Sequence, residues 1–284
     1  MNVEDKEVIE KKEHLLRLLR DTRSLLVAYS GGVDSTLLLA LAHEALGGKV
    51  VAATGISEIF PVREKELAEG FTRRSGIDHI LLPWEVMGVP GFVTNKPDRC
   101  YHCKKSLFKE FMAVAKARGI RYVAHGANVD DLRDYRPGQQ AAGEMGILSP
   151  LIDVDLKKLE IRHLSKAMGL SSWNKPATVC LASRIPYGSP ITAKKLQMVD
   201  EAEGFLLERG VRQCRVRHHG AVARIEVERS DLSMIMGNGP REAILKRFRD
   251  IGFVHVTLDM EGYVSGSMNR VLGTATKGEE MDDE

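Results

Sequence analysis

A glycine-rich turn between an apolar segment and a helix-forming segment constrains the fold of this chain more than any other feature. The apolar run 25–29 ends at the hexapeptide 30–35, whose letters are SGGVDS, and strong helix formers occupy 36–46. A short apolar run closed by glycines is typical of a fully buried parallel strand. Glycine lets the backbone approach an oxyanion, and a helix start supplies N–H donors and positive potential. We therefore expect a strand, an anion-binding turn and a helix.

Strand and helix patterns continue to alternate along the first two thirds of the chain. They predict strands at 49–54, 78–82 and 120–125, helices at 4–20, 62–75, 104–118 and 156–168, and a functional loop at 126–150. Such alternation is typical of βαβ units and a parallel sheet. The fold class is therefore predicted to be α/β and Rossmann-like.

The pattern changes after a proline-containing segment, 170–191. The later chain predicts helices at 193–209 and 240–250, a β-hairpin at 213–217 and 221–228, and a strand at 253–258. We expect a larger domain over 1–190, a smaller C-terminal α+β domain over 191–275 and a disordered acidic tail over 276–284.

Charge and hydropathy exclude several classes of protein. The 284 residues include 41 Lys+Arg and 39 Asp+Glu, a net charge of +2, which argues against nucleic-acid binding through a strong basic field. The charged N-terminal segment has no apolar core of a secretory signal, and no stretch approaches the roughly 20 apolar residues of a membrane span. We expect a cytoplasmic protein without membrane association.

The turn at 30–35 resembles the pyrophosphate loop of the PP-loop ATP pyrophosphatases, and it lacks the Gly-Lys-Ser/Thr of a Walker A loop. This resemblance implies cleavage of ATP between its α and β phosphates, with Mg²⁺. The nucleotide contacts it implies are Ala28, Ser30, Gly31, Gly32, Asp34, Ser35, Thr54, Gly126 and Asp130. Within 126–131 (GANVDD), carboxylates that orient Mg²⁺ or a ribose and a purely conformational Asx turn are equally open interpretations.

Three of the four cysteines are candidate ligands. Cys100 and Cys103 form a Cys-x-x-Cys, a spacing used by structural zinc, redox pairs and iron–sulfur clusters. Cys180 stands among basic residues, which favours a thiolate. Three thiolates can hold a [4Fe-4S] cluster and leave one iron open, whereas structural zinc normally takes four ligands. His102 is a possible fourth ligand, so zinc stays open.

The predicted hairpin carries the remaining cysteine and two arginines. Cys214 shares a strand face with Val216, which predicts a core residue. Arg215 and Arg217 share the opposite face, where they either form a solvated ladder of cross-strand ion pairs or clamp a phosphate or carboxylate of a ligand.

Taken together, these motifs make the chain resemble the LarE family over about residues 20–260. The matching segments are SGGVDS at 30–35, NKPDRCYHCKKSLF at 95–108, GANVDD at 126–131, RPG at 136–138 and CLASRIPYG at 180–188. Members of this family are ATP-dependent sulfur transferases of nickel-pincer nucleotide biosynthesis.

The LarE resemblance implies a specific chemistry. ATP adenylates a carboxylate of pyridinium-3,5-biscarboxylic acid mononucleotide, pyrophosphate leaves, and sulfur displaces AMP to give a thiocarboxylate. In one branch of the family a single cysteine, here Cys180, gives up its own sulfur. In the other branch three cysteines bind a [4Fe-4S] cluster that transfers a sulfide. Because Cys100, Cys103 and Cys180 are all present, we expect the cluster-bearing type.

The same resemblance implies the substrate ligands and partners. Arg184, Arg215 and Arg217 are expected to hold the phosphate or carboxylates of the small pyridinium mononucleotide. A sulfide donor and a ring-like homo-oligomer such as a hexamer are also implied.

Two alternatives of different classes remain. A cluster-dependent tRNA thiolation enzyme shares the adenylating fold, but it calls for a broad basic surface that the net charge of +2 does not favour. A zinc-stabilised nucleotide-binding module predicts ATP or AMP binding without pyrophosphate release. An amidating ligase is disfavoured, because no glutaminase region accompanies the fold.

Overall fold

The structure is a computed structural model that describes residues 3–133, 137–176, 180–264 and 266–270. Contacts divide the chain into two compact units, Met1–Phe92 with Asp98–Thr178, and Val93–Pro97 with Val179–Glu284. Through residue 178 the helices and strands are α1 (Val3–Asp21), β1 (Leu25–Ala28), α2 (Val33–Leu46), β2 (Val50–Ile56), α3 (Val62–Ser75), β3 (Asp78–Pro83), α4 (Pro90–Val93), α5 (Arg99–Ala117), β4 (Tyr122–His125), α6 (Pro137–Glu144), α7 (Pro150–Asp153) and α8 (Lys158–Ala167).

The first unit is built on a four-stranded parallel sheet in the order β3-β2-β1-β4. Side chains of β1 alternate between two cores. Leu25 and Val27 pack with α2, and Leu26 packs on the other face with Phe108 of α5. A parallel sheet covered by helices on both faces needs strands that are apolar throughout, as β1 is. The predicted α/β class with a parallel sheet is confirmed.

Two sequence expectations in this unit need correction. Helix α5 begins at Arg99 instead of residue 104, so Cys100 and Cys103 are helical. The segment 126–150, predicted as a loop, contains the 3₁₀ turn Val129–Arg133 and the helix α6, and α7 begins at its last residue. Both helices begin at a proline, Pro137 and Pro150, which is favourable at the first helical position. The many glycines and polar residues of this segment obscured that signal.

The second unit is a smaller α+β structure. Its elements are α9 (Ala193–Glu208), β5 (Cys214–His219), β6 (Val222–Val227), α10 (Leu232–Met236), α11 (Asn238–Ile251) and β7 (His255–Leu258). Strands β5 and β6 form the predicted antiparallel hairpin, and β7 pairs with β6 in parallel. Val216 and Phe248 belong to an apolar core cluster of this unit, and Cys214 lies in the same cluster, 2% exposed, as predicted.

The second unit also takes in a short excursion of the chain, Val93–Pro97, and it begins before the predicted boundary at residue 190. Main-chain N–H groups of Gly188 and Ile191 donate to the carbonyls of Asn95 and Val93 at 3.1 and 3.0 Å. The predicted acidic tail at 276–284 lies outside the described residues. Within the described ranges, no helix combines the length and apolar character that crossing a bilayer requires.

Candidate functional site

The turn after β1 has the geometry of an anion cradle. Gly31 adopts a left-handed conformation (φ +70°), which a residue with a side chain rarely does. The Ser35 hydroxyl closes the turn, because it donates to the Gly32 carbonyl at 3.2 Å and lies 3.1 Å from the Ser30 hydroxyl. No hydrogen bond within the described chain engages the backbone N–H groups of Gly32, Val33 or Ser35. These first-turn donors are left for an external acceptor.

Strand β4 brings a second glycine against this turn. A Cβ added to Gly126 would lie 2.8 Å from the Ser35 nitrogen and 2.9 Å from its Cα. The two glycine segments meet because β1 and β4 are neighbours at the point where the strand order reverses, and open parallel sheets bind ligands at such a point. The structure therefore brings together the predicted nucleotide-binding residues of 30–35 and Gly126.

The acidic turn that follows β4 is held by its own side chains. The Asp130 N–H donates to Asn128 Oδ1 at 2.9 Å, and the Asn128 N–H donates to Asp131 Oδ2 at 3.0 Å. Asp130 Oδ2 accepts from the Lys158 N–H at 2.7 Å and so satisfies a donor at the start of α8. In these contacts the side chains of the turn stabilise its backbone, as the interpretation of 126–131 as a purely conformational Asx turn predicts. A nucleotide contact of Asp130 stays a prediction.

Asp34 is the carboxylate placed at the cradle itself. Its Oδ2 lies 2.5 Å from Lys158 Nζ, and its Oδ1 accepts from Asn128 Nδ2 at 3.3 Å. Burial raises the pKa of Asp34, and the Lys158 ammonium opposes that shift. Magnesium is usually bound through one or two carboxylates together with substrate phosphates. Asp34 meets the protein side of that requirement.

Thr54 lies at the predicted position beside the cradle, but its side chain is used internally. Its hydroxyl donates to the Tyr29 carbonyl at 2.6 Å and lies 2.9 Å from His79 Nε2, and Thr54 is only 2% exposed. Because the short bond commits the Thr54 proton to Tyr29, the hydroxyl oxygen accepts from His79. Thr54 thus fixes the backbone that leads into Ser30. Ala28 ends β1 just before this point.

The cysteines fall in different units. Cys100 and Cys103 stand one turn apart at the start of α5, Cys100 exposed and Cys103 half-buried, whereas half-buried Cys180 belongs to the second unit. Residues three apart share a helix face, so α5 presents the two thiols together. Among the described residues, no three His, Cys, Asp or Glu side chains are grouped as metal ligands. His102 bonds instead to Asp98 Oδ2 at 3.1 Å. The three-cysteine site stays a prediction.

The three predicted substrate-binding arginines are buried inside the second unit. Arg184 pairs with Glu203 through two hydrogen bonds of 2.8 Å, and Arg217 pairs with Glu226 at 2.9 and 2.7 Å. Arg215 donates to the Cys214 carbonyl at 2.7 Å.

Burial decides between the two interpretations of the hairpin arginines only in part. Arg215 and Arg217 are 7% and 4% exposed, so of the two open interpretations the solvated ladder is wrong, although the Arg217–Glu226 ion pair does cross the strands. Alternation predicts which residues share a face but cannot say that a charged face is covered. Burial lowers the pKa of Arg215, and nearby Arg184 adds to the shift. Substrate binding by the three arginines stays a prediction.

Sequence reasoning missed two polar residues that bond to the backbone next to predicted site segments, half-buried Lys175 and buried Asn95. Lys175 Nζ donates to the Gly31 carbonyl at 3.0 Å, inside the first unit. Asn95 is fully buried in the second unit, and its Nδ2 faces the carbonyls of Ile185, Pro186 and Ser189 at 3.3, 2.7 and 2.7 Å. The only signal in the sequence was their position, Asn95 in the family-like segment 95–108 and Lys175 in the basic segment before Cys180. The neighbouring residues gave no indication of the partner of either side chain.

Comparison with known proteins identifies the family. Models of known protein families gave no match. The chain is 34% identical to pyridinium-3,5-bisthiocarboxylic acid mononucleotide synthase of Lactiplantibacillus plantarum, over 93% of this chain and 96% of that one. Uncharacterized proteins of Synechocystis and Methanocaldococcus jannaschii are 43% and 31% identical, each over 92% of this chain and 98% of the relative. With its glycine cradle, paired thiols and near full-length similarity, the chain belongs to the LarE family, the family of that synthase.

Proposed function

We propose that this protein is an ATP-dependent sulfur transferase that converts a carboxylate of pyridinium-3,5-biscarboxylic acid mononucleotide into a thiocarboxylate. The observation that carries the proposal is the open cradle at 30–35, with unbonded N–H groups of Gly32, Val33 and Ser35, in a chain that is 34% identical to the named synthase. Such a cradle suits the pyrophosphate that leaves when a carboxylate is adenylated.

The proposed reaction has two steps, adenylation of the carboxylate and displacement of AMP by sulfur. A substrate carboxylate oxygen attacks the α-phosphorus of ATP, which forms an acyl adenylate and releases pyrophosphate. A sulfur nucleophile then adds to the activated carbonyl and expels AMP, which leaves the thiocarboxylate. The N–H groups of the cradle stabilise the departing pyrophosphate. The Asp34 carboxylate would help to hold Mg²⁺, which would neutralise phosphate charge when bound.

For the sulfur source, we propose that Cys100, Cys103 and Cys180 hold a [4Fe-4S] cluster. The observation in favour is that α5 presents Cys100 and Cys103 on one face. When bound, such a cluster supplies a sulfide that can be replaced after each reaction. The role of the chain is to provide the thiolates and to leave one iron position without a protein ligand.

The first experiment measures pyrophosphate release by purified protein with ATP, Mg²⁺ and the dicarboxylate mononucleotide. Release that depends on the mononucleotide, and is lost in Asp34→Asn, supports the adenylating function. ATP binding without release contradicts it and favours the nucleotide-binding module. Salt-dependent RNA binding with RNA-dependent release favours tRNA thiolation instead.

A second experiment identifies the sulfur source. Iron and acid-labile sulfide are measured after anaerobic reconstitution of wild type, Cys103→Ser and the buried-core control Cys214→Ser. About four of each per chain, lost only in Cys103→Ser, supports the cluster. Little iron in every protein, with Cys180 losing the mass of H₂S after one reaction, contradicts the cluster and identifies Cys180 as a sacrificial donor.

A further inference from the structure

Lys175 is tied to the anion cradle by two contacts within the first unit. Its ammonium donates to the Gly31 carbonyl at 3.0 Å and to Glu64 Oε2 at 2.5 Å. Both side chains are largely buried, Lys175 16% and Glu64 5% exposed. A buried ammonium is tolerated when it is paired and hydrogen-bonded, and a carboxylate with a carbonyl meets that condition here.

The backbone that carries Lys175 is fixed separately from Glu64. Arg162 of α8 donates to the Trp173 carbonyl at 2.7 Å and to the Lys175 carbonyl at 2.9 Å, and Lys166 Nζ lies 4.8 Å from the Trp173 ring centroid. Helix α8 therefore holds the segment 173–175. With its base anchored by Arg162 and its tip paired with Glu64, the Lys175 side chain has little freedom to leave the Gly31 carbonyl.

The Gly31 carbonyl is the part of the cradle that most needs such a partner. It belongs to the same trans peptide as the Gly32 N–H, so the two groups point in opposite directions. Gly31 lacks a Cβ and sits at φ +70°, and sterics alone leave this peptide free to rotate. A rotation that turned the carbonyl into the cradle would replace a donor with a negative dipole. Whatever holds the carbonyl outward therefore sets the affinity for anions.

We propose that Lys175 is a positioning residue that locks the Gly31–Gly32 peptide with its N–H facing the cradle. The lysine acts on the backbone and does not contact the anion. The identity of the anion as pyrophosphate rests on the proposed function, but the effect on the peptide does not. Glu64 keeps the Lys175 ammonium at the Gly31 carbonyl when an anion binds in the cradle.

The chain offers a closely matched control. Lys11 of α1 donates to the Asp155 carbonyl at 2.9 Å and to Glu160 Oε1 at 2.8 Å, and its side chain is 13% exposed. It thus has the same kind of partners and the same burial as Lys175, but it has no contact with the cradle. Lys11→Met reports the general cost of losing such a lysine.

The first test needs no ligand. Amide hydrogen exchange is measured over residues 30–36 in wild type, Lys175→Met, Lys11→Met and the double variant Lys175→Met/Glu64→Gln, which removes the negative charge of Glu64 together with the ammonium. We expect exchange of the hydrogen-bonded amides of this turn, Ser30 and Thr36, to rise by about tenfold or more in both Lys175 variants and to stay at the wild-type rate in Lys11→Met. Wild-type exchange in a folded Lys175 variant would overturn the proposal.

The second test titrates inorganic pyrophosphate into the same proteins and into Glu64→Gln. We expect Lys175→Met to bind it about tenfold more weakly or worse, and Lys11→Met to bind it as wild type does. In Glu64→Gln, equal or weaker binding supports positioning. Tighter binding would overturn it, because freeing the ammonium from Glu64 would then have made Lys175 a phosphate ligand. If wild type fails to bind pyrophosphate, the proposed function is contradicted and the exchange measurement alone decides the role of Lys175.

Discussion

The guanidinium of Arg184 and the carboxylate of Glu203 form two parallel hydrogen bonds of 2.8 Å while both side chains are at most 1% exposed. Glu203 also accepts from the Val216 N–H at 2.9 Å, so one carboxylate joins α9 to β5 and to the turn after Cys180. The Arg184 cation holds the pKa of Glu203 below its usual value against the opposing effect of burial. This pair fixes the framework around the predicted substrate-binding hairpin.

We therefore expect Glu203→Gln to lower the free energy of unfolding by about 3–5 kcal/mol, because it leaves a buried guanidinium without its counter-charge. Glu201→Gln on the same helix is the control. Glu201 pairs with Arg247 at the same 2.8 Å, but both side chains are more than a third exposed, so its loss should cost at most about 1 kcal/mol. Urea unfolding of the two variants checks the difference, and equal costs would contradict it.

Gly126→Ala should weaken the anion cradle. The added Cβ would lie 2.8 Å from the Ser35 nitrogen, so strand β4 and the start of α2 must separate. We expect a loss of about 1–3 kcal/mol of stability and weaker binding of ATP. Gly143→Ala in α6 is the control, because nothing lies within 4 Å of its new Cβ. That variant should be neutral or slightly stabilising, and an equal loss of ATP affinity in both variants would show that crowding at Ser35 is not the cause.

His125 makes the first unit sensitive to acid. Burial lowers its pKa to about 3, and nearby Lys104 adds to the shift. In the unfolded chain His125 is therefore protonated below about pH 6.5, whereas in the folded chain it stays neutral down to about pH 3. The free energy of unfolding consequently falls as the pH drops from about 6.5 towards 3.

Between pH 7.5 and 5, this histidine should cost wild type about 2 kcal/mol that His125→Gln does not lose. Urea unfolding at the two pH values measures the effect, with His14→Gln at an exposed position as the control. The same pH slope in wild type and His125→Gln would contradict the assignment, whatever the absolute stability of the variant.

Asn95 should act as the anchor of the segment 185–189. Its Nδ2 faces three backbone carbonyls, and its own backbone is left-handed at φ +56°. Asn95→Ala removes the amide donor that faces these carbonyls and adds backbone strain, so we expect a loss of about 2–4 kcal/mol. Asn95→Gly removes the strain and keeps only the missing hydrogen bonds, so its thermal unfolding should fall between those of wild type and Asn95→Ala. Equal stability of Asn95→Gly and Asn95→Ala would remove strain from the explanation.

Local patterns were enough for most of the framework. The apolar run that ends at Ser30 identified a buried strand, and β-hairpin alternation placed Cys214 in a core. They were enough because β1 is apolar throughout and the buried residues of one hairpin face alternate along the sequence.

The remainder depends on partners that are distant in sequence. In the sequence, Arg184 cannot be told from a surface arginine, because its partner Glu203 lies on another element. The role of Lys175 depends on its contact with the Gly31 carbonyl, and the two residues are 144 positions apart. Periodicity reports which way a side chain faces, but it carries no information about which charges meet. The beginning of α5 was missed for a different reason, since 95–99 is rich in residues that also favour turns.

The excursion of Val93–Pro97 into the second unit limits how this protein can be cut or recombined. A gene fragment that starts after residue 178 would carry α9 to β7 and the carbonyls of 185, 186 and 189, but it would lack Asn95, whose side chain donates to them. Exchange of the C-terminal third between relatives is therefore compatible with a stable product only if the short internal stretch travels with it. Although they are separated along the chain, Val93–Pro97 and the chain from Val179 onward must therefore be exchanged together.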